Sequence, residues 1–137
     1  MTFALMYTYL LSMKTILKIG LSLALAVAFV IPLSARTVDA TGGSGVKEIA
    51  VSSRGLAYDV SEIRVNVGDT VRVTYTNGGG RHDWVVDEFE GAQTDVIRAG
   101  QSQTVEFVAD RAGSFEFYCS VPGHRQAGMF GKFIVVE

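Results

Sequence analysis

The chain has 137 residues, 48% of them hydrophobic and 19% charged, with a formal net charge of -2, one cysteine and two histidines. That length holds one domain rather than two. The charge leaves no basic surplus for nucleic acid, a single cysteine excludes an internal disulfide framework, and two histidines are too few for most multi-metal enzymes.

The apolar residues crowd into the first third. From Met13 the sequence reads Met-Lys-Thr-Ile-Leu-Lys, then an apolar run from Ile19 to Leu33 interrupted by Gly20, Ser22 and Pro32. Lys14 and Lys18 form a positive n-region and Ile19 to Ile31 an h-region. Val38-Asp39-Ala40 fits a small-x-Ala cleavage pattern, with Ala35 a second candidate cut. Residues 1–40 are therefore read as a signal peptide that starts at Met13; left uncleaved, it would anchor the chain in a membrane. Without it, 97 residues remain, with nine basic and 13 acidic side chains. The expectation is a small acidic domain exported to the periplasm or the cell exterior.

Thr41 to Gly45 (Thr-Gly-Gly-Ser-Gly) reads as a flexible linker, and residues 46–137 as the domain proper. There the apolar period is two. Val46 to Val51 opens the pattern. Ile63, Val65 and Val67 alternate with polar residues, Gly68-Asp69 turns the chain, and Val71, Val73 and Tyr75 alternate again. Asn77-Gly-Gly-Gly80 breaks the rhythm, which His82, Trp84 and Val86 resume. Asp87 to Gly100 reads as an acidic excursion with one short strand. Val105 and Phe107 follow, and Asp110 to Gly113 turns. Phe115, Phe117 and Cys119 then share one face, and Phe133 to Val136 closes the chain. Seven to eight short strands and no helical period predict an all-β sandwich.

The soft-ligand census singles out four residues of the exported chain: Cys119, His82, His124 and Met129. Three fall in Tyr118-Cys-Ser-Val-Pro-Gly-His-Arg-Gln-Ala-Gly-Met129, a C-x4-H-x4-M spacing between two predicted strands. His82 begins a distant strand after the glycine loop. Taken singly, Cys119 suits a buried small hydrophobe, His82 a core histidine and Met129 a gap filler. Taken together, two imidazoles, a thiolate and a weak axial thioether are the set that suits copper in a trigonal site. Zinc is the alternative occupant, although methionine is a poor zinc ligand.

Cys-Ser-Val-Pro-Gly-His124 with Ala-Gly-Met129-Phe-Gly-Lys-Phe resembles the copper loop of the cupredoxins, the small type 1 blue copper proteins, most closely in their auracyanin and plastocyanin-like branch. His82-Asp83-Trp84-Val85 resembles the His-Asn-Trp-Val segment that carries the first histidine of auracyanins and azurins. The resemblance implies a Greek-key sandwich with one copper near one end. His82, Cys119 and His124 would be equatorial ligands and Met129 axial. It also implies one-electron transfer through the edge of His124, framed by Val121, Pro122, Gly123 and Phe130, and exchange with redox proteins such as cytochromes or a membrane oxidoreductase. Two departures are noted: Arg81 stands where azurin has glycine, and Asp83 where relatives have asparagine. Asp83 is expected to tie the ligand loops together through Ser120. The acids Asp87, Glu88, Glu90 and Asp95 offer a second expectation, that of steering a basic partner toward the site.

Three functional classes compete. A monomeric electron carrier needs only the one site. A copper oxidase or nitrite reductase needs further histidines, and none remains once both are used. Copper storage or delivery favours a labile, Met-rich site, whereas this chain offers one methionine and a loop stiffened by Pro122.

Overall fold

A computed structural model describes residues 35–137; residues 1–34 of the expected signal peptide (1–40) lie outside the described residues. Strands β1 (Arg36–Asp39), β2 (Lys47–Arg54), β3 (Ala57–Tyr58), β4 (Val60–Asn66), β5 (Thr70–Asn77), β6 (Arg81–His82), β7 (Ile97–Arg98), β8 (Ser102–Val108), β9 (Gly113–Tyr118) and β10 (Phe130–Val136) follow in order. They form two four-stranded sheets, β1-β4-β10-β9 and β3-β2-β5-β8, and a two-stranded ribbon, β6-β7. The expected β-sandwich is present.

Period-two alternation sets the core. Ile63 and Val65 of β4, Phe117 of β9 and Phe133 and Val135 of β10 meet Ile49 and Val51 of β2 and Val71, Val73 and Tyr75 of β5, all buried. Each such side chain contributes about 1.5–3 kcal/mol relative to an exposed one. The alternation fixes which face of a strand turns inward but not which sheet the strand joins. The turn at Gly68-Asp69 therefore does not make a hairpin. β4 pairs with β10 and β5 with β2 and β8, so the turn carries the chain from one sheet to the other. Gly68, at φ 86°, donates its N–H to Ala109 across the same end of the sandwich.

The upstream boundary also differs from the expected one. β1, inside the segment read as leader, pairs parallel to β4 from Arg36↔Val60 to Asp39↔Arg64, and Val38 packs against the core. Arg36 adds a bond of 2.7 Å to the Ala50 carbonyl. The glycine-rich stretch after it is tied down rather than free: the buried Lys47 ammonium donates to the Gly42 and Gly43 carbonyls, each at 2.8 Å. An ammonium held away from water takes such partners because leaving its donors unmet would cost several kcal/mol.

The stretch from Asp87 to Gly100 contains the one short strand expected, β7, but it is more than an acidic excursion. Phe89 packs its ring 4.9 Å from Phe115, 5.6 Å from Phe133 and 5.8 Å from Phe107. That cluster closes one side of the sandwich between the two sheets. Beside it Trp84 is fully buried, 5.9 Å from the Phe117 ring, and its backbone exchanges bonds with Thr94.

Candidate metal centre

The ends of β2, β5, β6 and β9 and the start of β10 converge at one end of the sandwich, and the four predicted ligands lie there. Their segments are held by backbone bonds. The Cys119 N–H donates to the Met129 carbonyl at 3.1 Å, the Met129 N–H to the His124 carbonyl at 3.0 Å, and the His124 N–H to the Val121 carbonyl at 3.0 Å. Successive turns thus fold the C-x4-H-x4-M segment back on itself, which is why four-residue spacings bring distant letters together. His82 arrives from the other side, at the end of β6. Cys119, His82 and Met129 are buried and His124 is half-buried.

Nδ1 of His82 and Nδ1 of His124 lie 3.0 Å apart; the Cys119 sulfur is 3.7 Å from the first and 3.4 Å from the second. A circle through these three atoms has a radius of about 2.0 Å, the length of a metal–imidazole bond. The three donors are thus close enough together that one ion could be held among them. The donor set fits copper: a soft thiolate and two imidazoles gathered together, with the fully buried Met129 bonded through its backbone to Cys119 and His124. Burial pushes the Cys119 thiol up and the His82 imidazole down, the latter helped by the facing His124. A metal entering at neutral pH therefore displaces a proton from the sulfur and finds the His82 imidazole neutral.

Glycines make room for His82. Gly80 has φ 75°, and a Cβ there would stand 3.0 Å from the His82 Nε2; Gly78 lies so close to β2 that a Cβ would clash with the Ser53 carbonyl. Asn77, at the end of β5, spans the loop from beneath. Its amide donates to the carbonyls of Gly80 (3.2 Å) and Ile97 (2.8 Å), and its oxygen accepts from the Gly79 N–H at 3.0 Å. Sequence reasoning missed Asn77 as a site-building residue, although its place at the start of an Asn-Gly-Gly-Gly run was the available signal.

Asp83 is buried, as are its neighbours His82, Trp84, Val85 and Val86, so the expected alternation stops at His82. The reason is a bridge between Val85 and Tyr118, whose N–H groups donate to each other's carbonyls at 3.1 and 2.9 Å. Antiparallel counting from that bridge sets Asp83 across from Ser120. Asp83 Oδ1 accepts the Ser120 N–H at 2.7 Å, and its Oδ2 accepts the Ser120 hydroxyl. On the other flank the Tyr58 hydroxyl donates to the Asp83 carbonyl at 2.6 Å, a clamp with no signal in the sequence. Neither Arg81 nor Arg125 pairs with Asp83. Arg125 instead binds Glu116 at 2.6 Å.

Val121, half-buried, lies with Leu56, Gly79, Gly80, Arg81, His82 and His124 along a shallow cleft beside the site, and Val121, Pro122, Ser120, Arg81 and Val96 line a second. Pro122, Gly123 and Phe130 are exposed. The acidic excursion is spread between the two ends of the sandwich. The Glu88 carbonyl accepts from Arg111 in the β8–β9 connection, at the end of β9 away from Cys119. Asp87 accepts from the Tyr118 hydroxyl at 2.9 Å.

Known proteins agree with this geometry. Residues 46–136 match the family described as copper binding proteins, plastocyanin/azurin family. The copper-resistant cuproprotein CopI of Rubrivivax gelatinosus is 34% identical over 104 residues, 62% of this chain and 63% of that protein; this chain thus spans less than two thirds of that relative's length. Auracyanin-A of Chloroflexus aurantiacus is 30% identical over 125 residues, 68% of this chain and 76% of that one. The solved structure of dithionite-reduced auracyanin from Roseiflexus castenholzii superposes with a TM-score of 0.61 at 26% identity, covering 70% of this chain and all of the other. A sandwich with a His-Cys-His triangle at one end, carried by a sequence of this kinship, makes the chain a member of the plastocyanin/azurin family of copper-binding proteins, the cupredoxins.

Proposed function

We propose that this protein is a one-electron carrier that works outside the cytoplasm, cycling a single copper between redox proteins such as cytochromes or a membrane oxidoreductase. The observation that carries the reading is the graded exposure of the donor set: Cys119, His82 and Met129 are shut away from solvent, and His124 alone reaches the surface. Copper bound there supplies a one-electron couple.

The chain's residues do the rest. Their positions are set by backbone bonds and by the Asn77 and Asp83 clamps, none of which involves a ligand atom. Burial keeps water from the sulfur. Val121, Pro122, Gly123 and Phe130 frame His124, so a partner meets a small, weakly polar face suited to brief contact. Met129 would offer its thioether to the same ion as a weak further donor. The protein works as a monomer, and the apolar leader directs its export. An enzymatic role finds no support in the donor inventory, because both histidines of the sequence already serve one site.

Likeness to a copper-resistance protein favours a second reading, copper sequestration or delivery. One experiment separates the two. Copper-loaded protein is cycled with a chemical oxidant and reductant in the presence of a strong Cu(I) chelator. A carrier returns to its oxidised spectrum cycle after cycle, whereas a delivery protein loses copper to the chelator on the first reduction.

A further inference from the structure

The residue beside the first histidine ligand opens a question of partner charge. Arg81 precedes His82 in β6 and, with Val121, lines both clefts flanking the site. Its cross-strand neighbour in the β6-β7 ribbon is another arginine, Arg98. Both are exposed. Like charges directly opposite on a strand pair disfavour the pairing, and no carboxylate of the described residues relieves this one: neither arginine makes a salt bridge, whereas Arg36, Arg64, Arg72, Arg111 and Arg125 all do. Arg54 is also without an ion pair, and it precedes Gly55 and Leu56, which line the first cleft with Arg81.

We propose that Arg81 and Arg98, with Arg54 at the edge, form a docking surface for an acidic face of a redox partner. The proposal rests on the electron-carrier reading above and adds the sign of the partner's charge. Two observations converge. The unpaired positive charge lies at the copper end of a chain whose exported part is acidic overall, with 13 acids to nine bases. The unpaired guanidiniums make the surface beside the site locally positive, which draws an approaching anionic surface toward it. Apolar residues line the two clefts with Arg81, among them Leu56 at 46% and Val96 at 38% exposure, which gives the patch the mixed character of a transient interface. Guanidinium groups suit the task because their planar forks bind carboxylates in pairs.

The test uses copper-loaded protein and three one-electron reductants: an acidic b-type cytochrome, a basic c-type cytochrome and uncharged ferrocenemethanol. In each case one electron leaves Fe(II) of the reductant and arrives at the oxidised copper site, and the rate is read by stopped flow as the visible band bleaches. For the acidic cytochrome the rate is expected to fall about tenfold between low and 0.3 M salt. In the Arg81→Gln/Arg98→Gln variant it should start near the high-salt value and lose most of its salt dependence. The basic cytochrome should show the opposite salt trend. Ferrocenemethanol should reduce both proteins at similar rates, and an unchanged visible spectrum shows that the variant retains its site. A wild-type rate with the acidic cytochrome that ignores salt, or a double variant that keeps the wild-type salt slope, overturns the proposal. Failure of excess dithionite to bleach the visible band of the wild type would instead overturn the carrier reading on which it rests.

Discussion

Asp83→Asn isolates the effect of one charge on the copper site, because the substitution keeps size, shape and the acceptor for the Ser120 N–H. From Asp83 Oδ1 it is 2.7 Å to the Ser120 nitrogen, and four bonds lead from there to the Cys119 sulfur. The carboxylate thus lies within about 8 Å of the sulfur. A unit charge at that distance acts on the electron added to the site by about 2 kcal/mol at an effective dielectric of about 20. With about 1.4 kcal/mol per 59 mV for one electron, removing the charge should raise the reduction potential by about 90 mV. The sign follows from electrostatics: an anion favours the more positive copper, so its loss favours reduction. Protein-film voltammetry of wild type and variant measures the shift, and the visible spectrum should stay nearly the same because no ligand changes. Equal potentials would refute the assignment of a working charge to Asp83. A fall in potential would show that the altered bond to the Ser120 hydroxyl outweighs the field.

Met129→Leu should keep copper and colour and raise the potential, since the sulfur that favours Cu(II) is gone, at a stability cost below about 1.5 kcal/mol; loss of copper on dialysis would remove Met129 from the axial position. Gly80→Ala places a Cβ at φ 75° and 3.0 Å from the His82 Nε2. It should destabilise the fold by about 1–3 kcal/mol and weaken copper binding; a denaturant midpoint and copper affinity equal to wild type would contradict the role given to that loop. Burial pushes the Tyr75 hydroxyl up to about 12, against the opposing bond from Ser53. Its folded value lies above the unfolded value of about 10, so its contribution is complete below pH 10 and is lost as pH rises through 12. Denaturation curves between those limits should show falling stability, with a shallower fall in Tyr75→Phe.

The parts of this protein visible in its sequence are those carried by short periods and rare letters. Ile63-Val65 and Phe115-Phe117 announce inward faces because strands alternate at period two. Cys119, His124 and Met129 announce a site because their residue types are scarce elsewhere in the exported chain and closely spaced. What the sequence hides is pairing. Nothing in the Ile63 to Tyr75 pattern says that β4 and β5 belong to opposite sheets. β1 was invisible for a different reason: three of its four residues are exposed, and it follows directly on an apolar run that fits a leader. The Asp83–Ser120 bond was anticipated from the resemblance, whereas the burial of five residues in a row depends on the Val85–Tyr118 bridge. Tyr58 carries no local sign that its hydroxyl will reach the Asp83 carbonyl. Arg81 and Arg98 are 17 positions apart and meet only through the register of a two-residue ribbon.

The central claim is a copper–thiolate bond at Cys119 within a His82–Cys119–His124 triangle, and the visible absorption of the copper-loaded, oxidised protein tests it most directly. One copper per chain should produce an intense blue charge-transfer band, and Cys119→Ser should lack the band while its circular dichroism still reports a folded sandwich. Full copper occupancy in a colourless wild-type protein, or a blue Cys119→Ser variant, would contradict the account.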